Sequence, residues 1–303
     1  RHTRCSRDWS SDVCSSDLYI PADTDDLATF LRTLAPEEPL CFVGLGSNLL
    51  VRDGGYRGTV VLMHSTHAGM RLEGTSIDVD AGAACPKLAR FAALQGFEGA
   101  EFLAGVPGTV GGALAMNAGC YGSQTWDFVR SVLTIDRTGV IRKRSPGEFE
   151  TGYRHVALRG DLVLGVDEWF VGARFAFTPG DGAKSRQRIR ELLAQRIASQ
   201  PLGLANAGSV FRNPPGDHAA RLIEACGLKG VTLGGAQISA KHANFIVNPD
   251  GRATAADIEA LISQARRAVM AKFGVELFPE VRIVGDAALG MAGDGKSSQK
   301  DPT

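Results

Sequence analysis

Apolar side chains fall in short runs along most of the chain and at helical spacing in a few places. Leu27, Phe30, Leu31 and Leu34 share one face behind Asp23 or Thr24, which predicts a short helix over 23–34. Runs at 40–43, 49–51, 58–63 and 76–81 have the length and composition of strands, the last alternating Ile77, Val79 and Ala81. Residues 86–94 suit a helix with Pro86 in its first turn. Runs at 129–135 and 140–144 flank Asp-Arg-Thr-Gly, a hairpin signal, and 162–166 and 173–177 read as two further strands. The pattern changes after Thr178-Pro179-Gly180. Ile189, Leu192, Leu193 and Ile197 then lie at helical spacing in a connecting helix that stops before Pro201. A second mixed unit follows, with a helix over 219–226, a strand over 244–247 and a long helix. Thr254 caps that helix, Asp257 stands three residues on, and Ile258, Leu261, Ile262, Ala265, Val269 and Phe273 form its stripe. A strand over 280–284 closes the unit.

Two stretches break the pattern. Residues 105–122 read G-V-P-G-T-V-G-G-A-L-A-M-N-A-G-C-Y-G, with six glycines among small side chains. Such a run is not expected to supply a core, because glycine offers no apolar surface and is entropically expensive to order. It suits a backbone cradle for a phosphorylated cofactor, the alternative being a surface loop. No Gly-Lys-Ser/Thr follows, which excludes the nucleotide loop in which lysine reaches the phosphates. Residues 44–51, G-L-G-S-N-L-L-V, follow the strand at 40–43. They lack the third glycine of a dinucleotide fingerprint, and a second apolar run stands where a helix should begin. Two strands joined by a Gly-Ser-Asn turn fit better, either as a pyrophosphate nest or as a simple hairpin.

Composition narrows the class. The 303 residues are 44% hydrophobic with 33 basic and 33 acidic side chains, enough for two or three globular domains with no basic surface for nucleic acid. No run of 18 apolar residues predicts a membrane span. Residues 1–18 differ from the rest: D-W-S-S-D-V-C-S-S-D-L resembles translated adapter sequence rather than a secretory signal, so natural sequence is expected to start near Tyr19. A native polar tail is the alternative. Cys5 and Cys14 go with that segment. Cys41, Cys85, Cys120 and Cys226 are scattered, show no metal spacing, and are expected to act as small buried hydrophobes in a reducing cytoplasm. The tail 286–303 is rich in Gly, Lys and Ser and is expected to be disordered.

Three polar positions could carry chemistry, and none decides anything alone. Tyr153-Arg154 follows Gly152 just before a strand, where arginine is ordinarily solvated. Ser209 lies in N-A-G-S-V-F-R-N-P-P-G, and serine beside glycine is common in turns; no G-x-S-x-G elbow is present. Glu280 stands between Pro279 and V-R-I-V, where a carboxylate can equally face water.

Taken in order, F-V-G-L-G-S-N-L-L-V, E-F-L-A-G-V-P-G-T-V-G-G-A-L-A-M-N-A-G, G-Y-R, A-G-S-V-F-R-N-P, K-H-A-N-F-I-V-N and F-P-E-V-R-I-V-G resemble the UDP-N-acetylenolpyruvoylglucosamine reductase family from about Tyr19 to Gly285. The likeness is to the subclass without an inserted tyrosine-bearing loop. It implies an α+β fold, with a two-lobed FAD-binding domain of the vanillyl-alcohol-oxidase/PCMH type over 19–178. A connecting helix over 179–200 and an α+β substrate-binding domain over 201–285 would follow. Gly44, Gly46, Ser47 and Asn48 match the family's pyrophosphate turn; Pro107, Gly108, Thr109, Gly112 and Ala113 match its second flavin loop. Arg154, Ser209 and Glu280 match its catalytic trio, and Tyr153, Asn213, Lys229 and His242 fall where relatives hold the UDP-sugar. The implied reaction uses NADPH as hydride donor and UDP-N-acetylglucosamine enolpyruvate as substrate, without a metal, in a cytoplasmic monomer.

His155-Val156 stand where the family usually places a serine, and Cys120 replaces a more usual alanine. The expected Asn-Thr and Gly-Gly segment of the first flavin lobe is not in the chain. Two other readings stay open on sequence grounds: a flavoprotein oxidase of an alcohol or sugar, and an inactive nucleotide-binding module.

Overall fold

Three buried apolar clusters, each backed by its own sheet, organise the computed structural model, which describes residues 2–4, 17–65 and 68–288. In the first, strands Asp17–Tyr19, Thr59–Leu62 and Leu40–Val43 pair in parallel, and His2–Arg4 adds antiparallel to Asp17–Tyr19. Helix α1 (Thr24–Leu31) covers this sheet. Asp23 caps it by accepting the Asp26 N–H at 2.8 Å, and Leu27, Phe30 and Leu31 turn inward. Asp17 and Leu18, set apart on sequence grounds, pair with Thr59 and Val60; residues 5–16 lie outside the described residues.

The second cluster fills one face of a five-stranded antiparallel sheet, in the order Ile141–Arg144, Val129–Asp136, Glu168–Ala176, Ser76–Asp80, Met70–Glu73. Helices α2 (Cys85–Leu94) and α3 (Val110–Met116) pack into it. Helix α3 corrects the expectation that the glycine-rich stretch supplies no core. Val110, Ala113 and Leu114 are buried, and Thr109 caps the helix through Gly112 N–H. Gly111 serves close packing: a Cβ there would lie 3.0 Å from the Ala81 Cβ.

The expected strand at 162–166 is a turn. Gly165 takes φ 87°, Asp167 accepts the Val163 N–H at 2.7 Å, and Leu162, Val163 and Val166 are exposed. Local hydrophobicity misleads here because Glu168–Ala176, nine residues long, fills the central place in the sheet.

Helix α4 (Gly182–Ser199), capped by Asp181, leads to the third cluster. There a four-stranded antiparallel sheet, in the order Ala205–Asn206, Ile246–Asn248, Ala236–Ile238, Thr232–Leu233, packs with α5 (Ala219–Ala225) and α6 (Ala255–Phe273). The predicted capping box of α6 is present: Thr254 Oγ1 accepts from Asp257 N–H at 3.0 Å, and Asp257 returns to Thr254 N–H at 3.0 Å. The tail beyond residue 288 lies outside the described residues.

The strands at 40–43 and 49–51 are not a hairpin. Leu40–Val43 pairs with Thr59–Leu62, whereas Leu49–Val51 pairs in parallel with Arg282–Val284 from the far end of the chain. Each run follows its own core, Leu40 joining the first cluster and Leu50 the third. Residues 44–48 therefore cross between sheets. The two residues after strand Leu49–Val51 bind the third unit further: Asp53 accepts from Ala255 and Ala256 N–H at 2.8 and 3.0 Å, and Arg52 donates from Nε and one terminal nitrogen to the Glu259 carboxylate, each at 2.9 Å.

Candidate active site

Arg154 occupies a two-residue turn between strands Phe149–Gly152 and His155–Leu158, a hairpin of which the sequence pattern signals only the second half. Its φ is 54°. A left-handed residue other than glycine costs about 1–2 kcal/mol, and such strain collects at functional sites. Among the described residues only Asn117 (φ 41°) and Tyr121 (φ 56°) share the feature, and Arg154 bonds to the first. Its guanidinium is held three ways: Nε donates to Glu280 Oε1 at 2.7 Å, one terminal nitrogen to the Gly119 carbonyl at 2.9 Å, the other to the Asn117 carbonyl at 3.4 Å.

Glu280 is placed by backbone pairing. Its N–H donates to the Val210 carbonyl at 2.8 Å, Phe211 bridges Pro279, and Arg212 N–H donates to the Phe278 carbonyl at 2.9 Å. Ser209, one residue before Val210, thereby comes to the end of the segment that carries Glu280. The flavin-type turns meet there too. Asn48 Nδ2 donates to the Glu280 carbonyl at 3.1 Å, and a Cβ on Gly208 would lie 3.2 Å from the Ser47 carbonyl oxygen. A Cβ on Gly108 would lie 3.5 Å from Ser47 Oγ, and one on Gly44 only 2.3 Å from Thr109 Oγ1. The structure thus brings Gly44, Ser47, Asn48, Gly108, Thr109, Arg154, Ser209 and Glu280 into one region. Gly46 has φ 69° within its turn, Pro107 and Gly112 are exposed, and Ala113 is buried in the core of the second lobe.

The electrostatics are asymmetric. Burial pushes the Glu280 carboxyl up, while Arg154 and then Arg212 oppose it. Among the described residues, Arg212 Nε is buried and finds no hydrogen-bond partner. Cys120, beside Arg154, has its thiol pushed up to about 11 by burial, which keeps it protonated and unreactive; Cys85 alone of the four described cysteines is fully buried.

The expected substrate residues divide into two groups. Tyr153 is 52% exposed, lies with its ring 5.1 Å from the Arg154 guanidinium, and accepts the Asn213 N–H at 3.3 Å. Asn213 Oδ1 accepts from Ala219 N–H at 3.1 Å and so starts α5. Lys229 and His242 lie apart from these. Lys229 pairs with Glu224 at 3.0 Å, and His242 packs edge-on against Phe245 with Nδ1 3.3 Å from the Asn244 nitrogen. Burial, then the charge of Lys229, pulls the imidazole pKa down. Among the described residues, no hydrogen bond or ion pair joins this group to Arg154 and Glu280.

Sequence reasoning missed Asn117 and Arg212. An asparagine followed by Ala-Gly after an apolar turn is a helix stop in left-handed conformation, and that signal would have found Asn117. Nothing local distinguishes Arg212 from a solvated arginine.

The two turns fit a dinucleotide. Among the described residues, no hydrogen bond takes up the N–H groups of Gly46, Ser47 and Asn48. The contact between Gly44 and Thr109 holds the second loop against them with room for no extra carbon. Residues 17–145 match the family model of an FAD-binding domain. Fold and family match together define a flavoprotein with an FAD-binding domain followed by an α+β domain. Residues 200–284 match the model of the UDP-N-acetylenolpyruvoylglucosamine reductase C-terminal domain. The UDP-N-acetylenolpyruvoylglucosamine reductase of Nitrosospira multiformis is 56% identical over 299 residues, covering 92% of this chain and 86% of its own. That of Methylococcus capsulatus is 57% identical over 272 residues, covering 89% and 87%. The crystal structure of the Thermus caldophilus enzyme superposes with a TM-score of 0.72 at 32% identity, over 88% of this chain and 92% of that one. The chain belongs to the UDP-N-acetylenolpyruvoylglucosamine reductase family.

Proposed function

We propose that the chain reduces the enolpyruvyl ether of UDP-N-acetylglucosamine to UDP-N-acetylmuramate, with NADPH as hydride donor and FAD as carrier, for peptidoglycan synthesis. The observation that carries this reading is the Arg154–Glu280 contact, with Glu280 bonded through its backbone to Val210, the residue after Ser209, and to Asn48 of the first turn. Residues 44–48 would hold the pyrophosphate and 107–112 the ring side of the cofactor. When bound, FAD would pass hydride from NADPH to the terminal vinyl carbon of the substrate.

The chain's own residues would then meet the negative charge that develops on the adjacent carbon and its carboxylate. Arg154 is held on three sides, so its planar fork needs little reorganisation to stabilise an enolate. Glu280, with its carboxyl pushed toward the protonated form, can donate a hydrogen bond to the same charge. Ser209 would deliver its proton to that carbon. Tyr153 and Asn213 would flank the sugar, and Lys229 and His242 would hold the nucleotide end. We read 19–178 as the cofactor unit, α4 as the connection and 201–285 as the substrate unit, working as a cytoplasmic monomer without nucleic acid. The even charge balance supports that last point, and among the described residues no helix is long and apolar enough to cross a membrane.

A buried arginine–carboxyl pair suits stabilising an enolate, which an oxidase does not form, and this favours the reductase reading. Steady-state NADPH oxidation tests it. Consumption that requires the UDP-enolpyruvyl sugar supports the reductase; rapid reoxidation by oxygen with no need for NADPH supports an oxidase. A chain that binds no flavin is neither.

A further inference from the structure

We propose that Asn117 is a positioning residue that locks the Arg154 turn to the end of helix α3, and so fixes the Arg154–Glu280 contact. The helix begins at Thr109, in the second flavin-type loop, and ends at Asn117. Asn117 is 1% exposed and takes the left-handed conformation at φ 41°. Its amide group is used throughout: Nδ2 donates to the Gly152 carbonyl at 3.0 Å and to Gln124 Oε1 at 3.1 Å, while Oδ1 accepts from Trp126 N–H at 3.1 Å.

Gly152 pairs with His155 across the hairpin, so the bond to its carbonyl grips the turn immediately before Arg154. The Asn117 carbonyl accepts from Arg154 itself, and the Gly119 carbonyl two residues on accepts at 2.9 Å. One residue therefore holds both the strand end that leads into the turn, through Gly152, and the side chain of the strained arginine. Few side chains can do this, since the site needs a left-handed backbone together with a donor and an acceptor on a short stem.

The role rests on the proposed reaction only for its catalytic meaning; the positioning itself can be read without turnover. The charged groups facing Glu280 are Arg154 and Arg212. Releasing Arg154 removes the nearer cation, so the Glu280 carboxyl should hold its proton to higher pH. The experiment follows the 13C signal of the Glu280 carboxyl by NMR through a pH titration of the whole chain. The variants compared are Asn117→Gly and a control, Leu114→Ala, which opens a cavity in the same helix without touching the turn.

We expect Asn117→Gly to raise the Glu280 midpoint by at least half a unit and Leu114→Ala to leave it in place. In the same variant, product formation per folded molecule should fall more than tenfold with little change in the substrate KM. A Glu280 midpoint unchanged in Asn117→Gly, or shifted equally in Leu114→Ala, overturns the assignment. Should Asn117→Gly fail to fold, Asn117→Ser carries the same test, being too short to span Trp126 N–H and the Gly152 carbonyl together. A shifted midpoint in a chain that turns over no enolpyruvyl sugar would uphold the positioning role while ending the proposed function.

Discussion

Arg154 Nε lies 2.7 Å from Glu280 Oε1, between residues 126 positions apart that sit on different units of the fold. Both side chains are mostly shielded, at 18% and 15% exposed. A pair so enclosed is weak evidence of stability, because desolvation offsets much of the attraction. It is better evidence of a site, since it leaves a cation and a carboxyl ready to act together.

Arg154→Lys should keep the charge and lose the fork. Lysine cannot donate at once to Glu280, Gly119 and Asn117 as the guanidinium does. Product formation should fall by about 10²–10³-fold, the range for losing one preorganised donor to a developing anion. Transient kinetics with the UDP-enolpyruvyl sugar would measure it, and an unchanged rate would return Arg154 to a structural role.

Glu280→Gln should change how stability depends on pH. Burial raises the folded carboxyl above its ordinary value, so the native state binds this proton more tightly than the unfolded chain. The stability it contributes is full below the ordinary carboxylate pKa and is lost as pH rises through the raised one. Glutamine cannot ionise, so the variant should lack that decline. Urea unfolding of both proteins across the acid range would reveal it, and parallel curves would contradict the shift.

Gly44→Ala should separate the two flavin-type loops. The new methyl would meet Thr109 Oγ1 at 2.3 Å, an overlap of the kind that costs about 1–3 kcal/mol when neighbours must move. Flavin occupancy, read as visible absorbance per protein, should drop. Thr109→Ala in the same chain should recover part of it, and full occupancy in Gly44→Ala alone would remove these loops from the cofactor site.

Asp53→Ala should loosen α6 rather than the chemistry. Its carboxylate takes up two N–H groups at the start of that helix, a capping role whose loss typically costs about 1 kcal/mol. Thermal unfolding should shift down while the substrate KM changes little. A large KM effect with unaltered stability would mean that the Asp53 clasp tunes the site directly.

The apolar periodicity made α1, α2, α4, α5 and α6 legible, down to the Thr254–Asp257 capping box. It failed at α3, where tertiary packing turns a low-propensity glycine stretch into a buried helix, and at 162–166, where an apolar run is a surface turn. Arg154, Ser209 and Glu280 were legible only through motif resemblance. Their meeting depends on long-range pairings, Glu280 with Val210 and Leu49–Val51 with Arg282–Val284, which no local spacing encodes. Asn117 carried a local signal that the glycine count obscured.

The most direct measurement mixes NADPH-reduced enzyme anaerobically with UDP-enolpyruvyl sugar and follows proton delivery in Ser209→Ala beside the parent. The account predicts that NADPH reduces both proteins at similar rates and that only the parent forms UDP-N-acetylmuramate rapidly. Equal loss of both steps, or product formed by Ser209→Ala at the parent's rate, would contradict it.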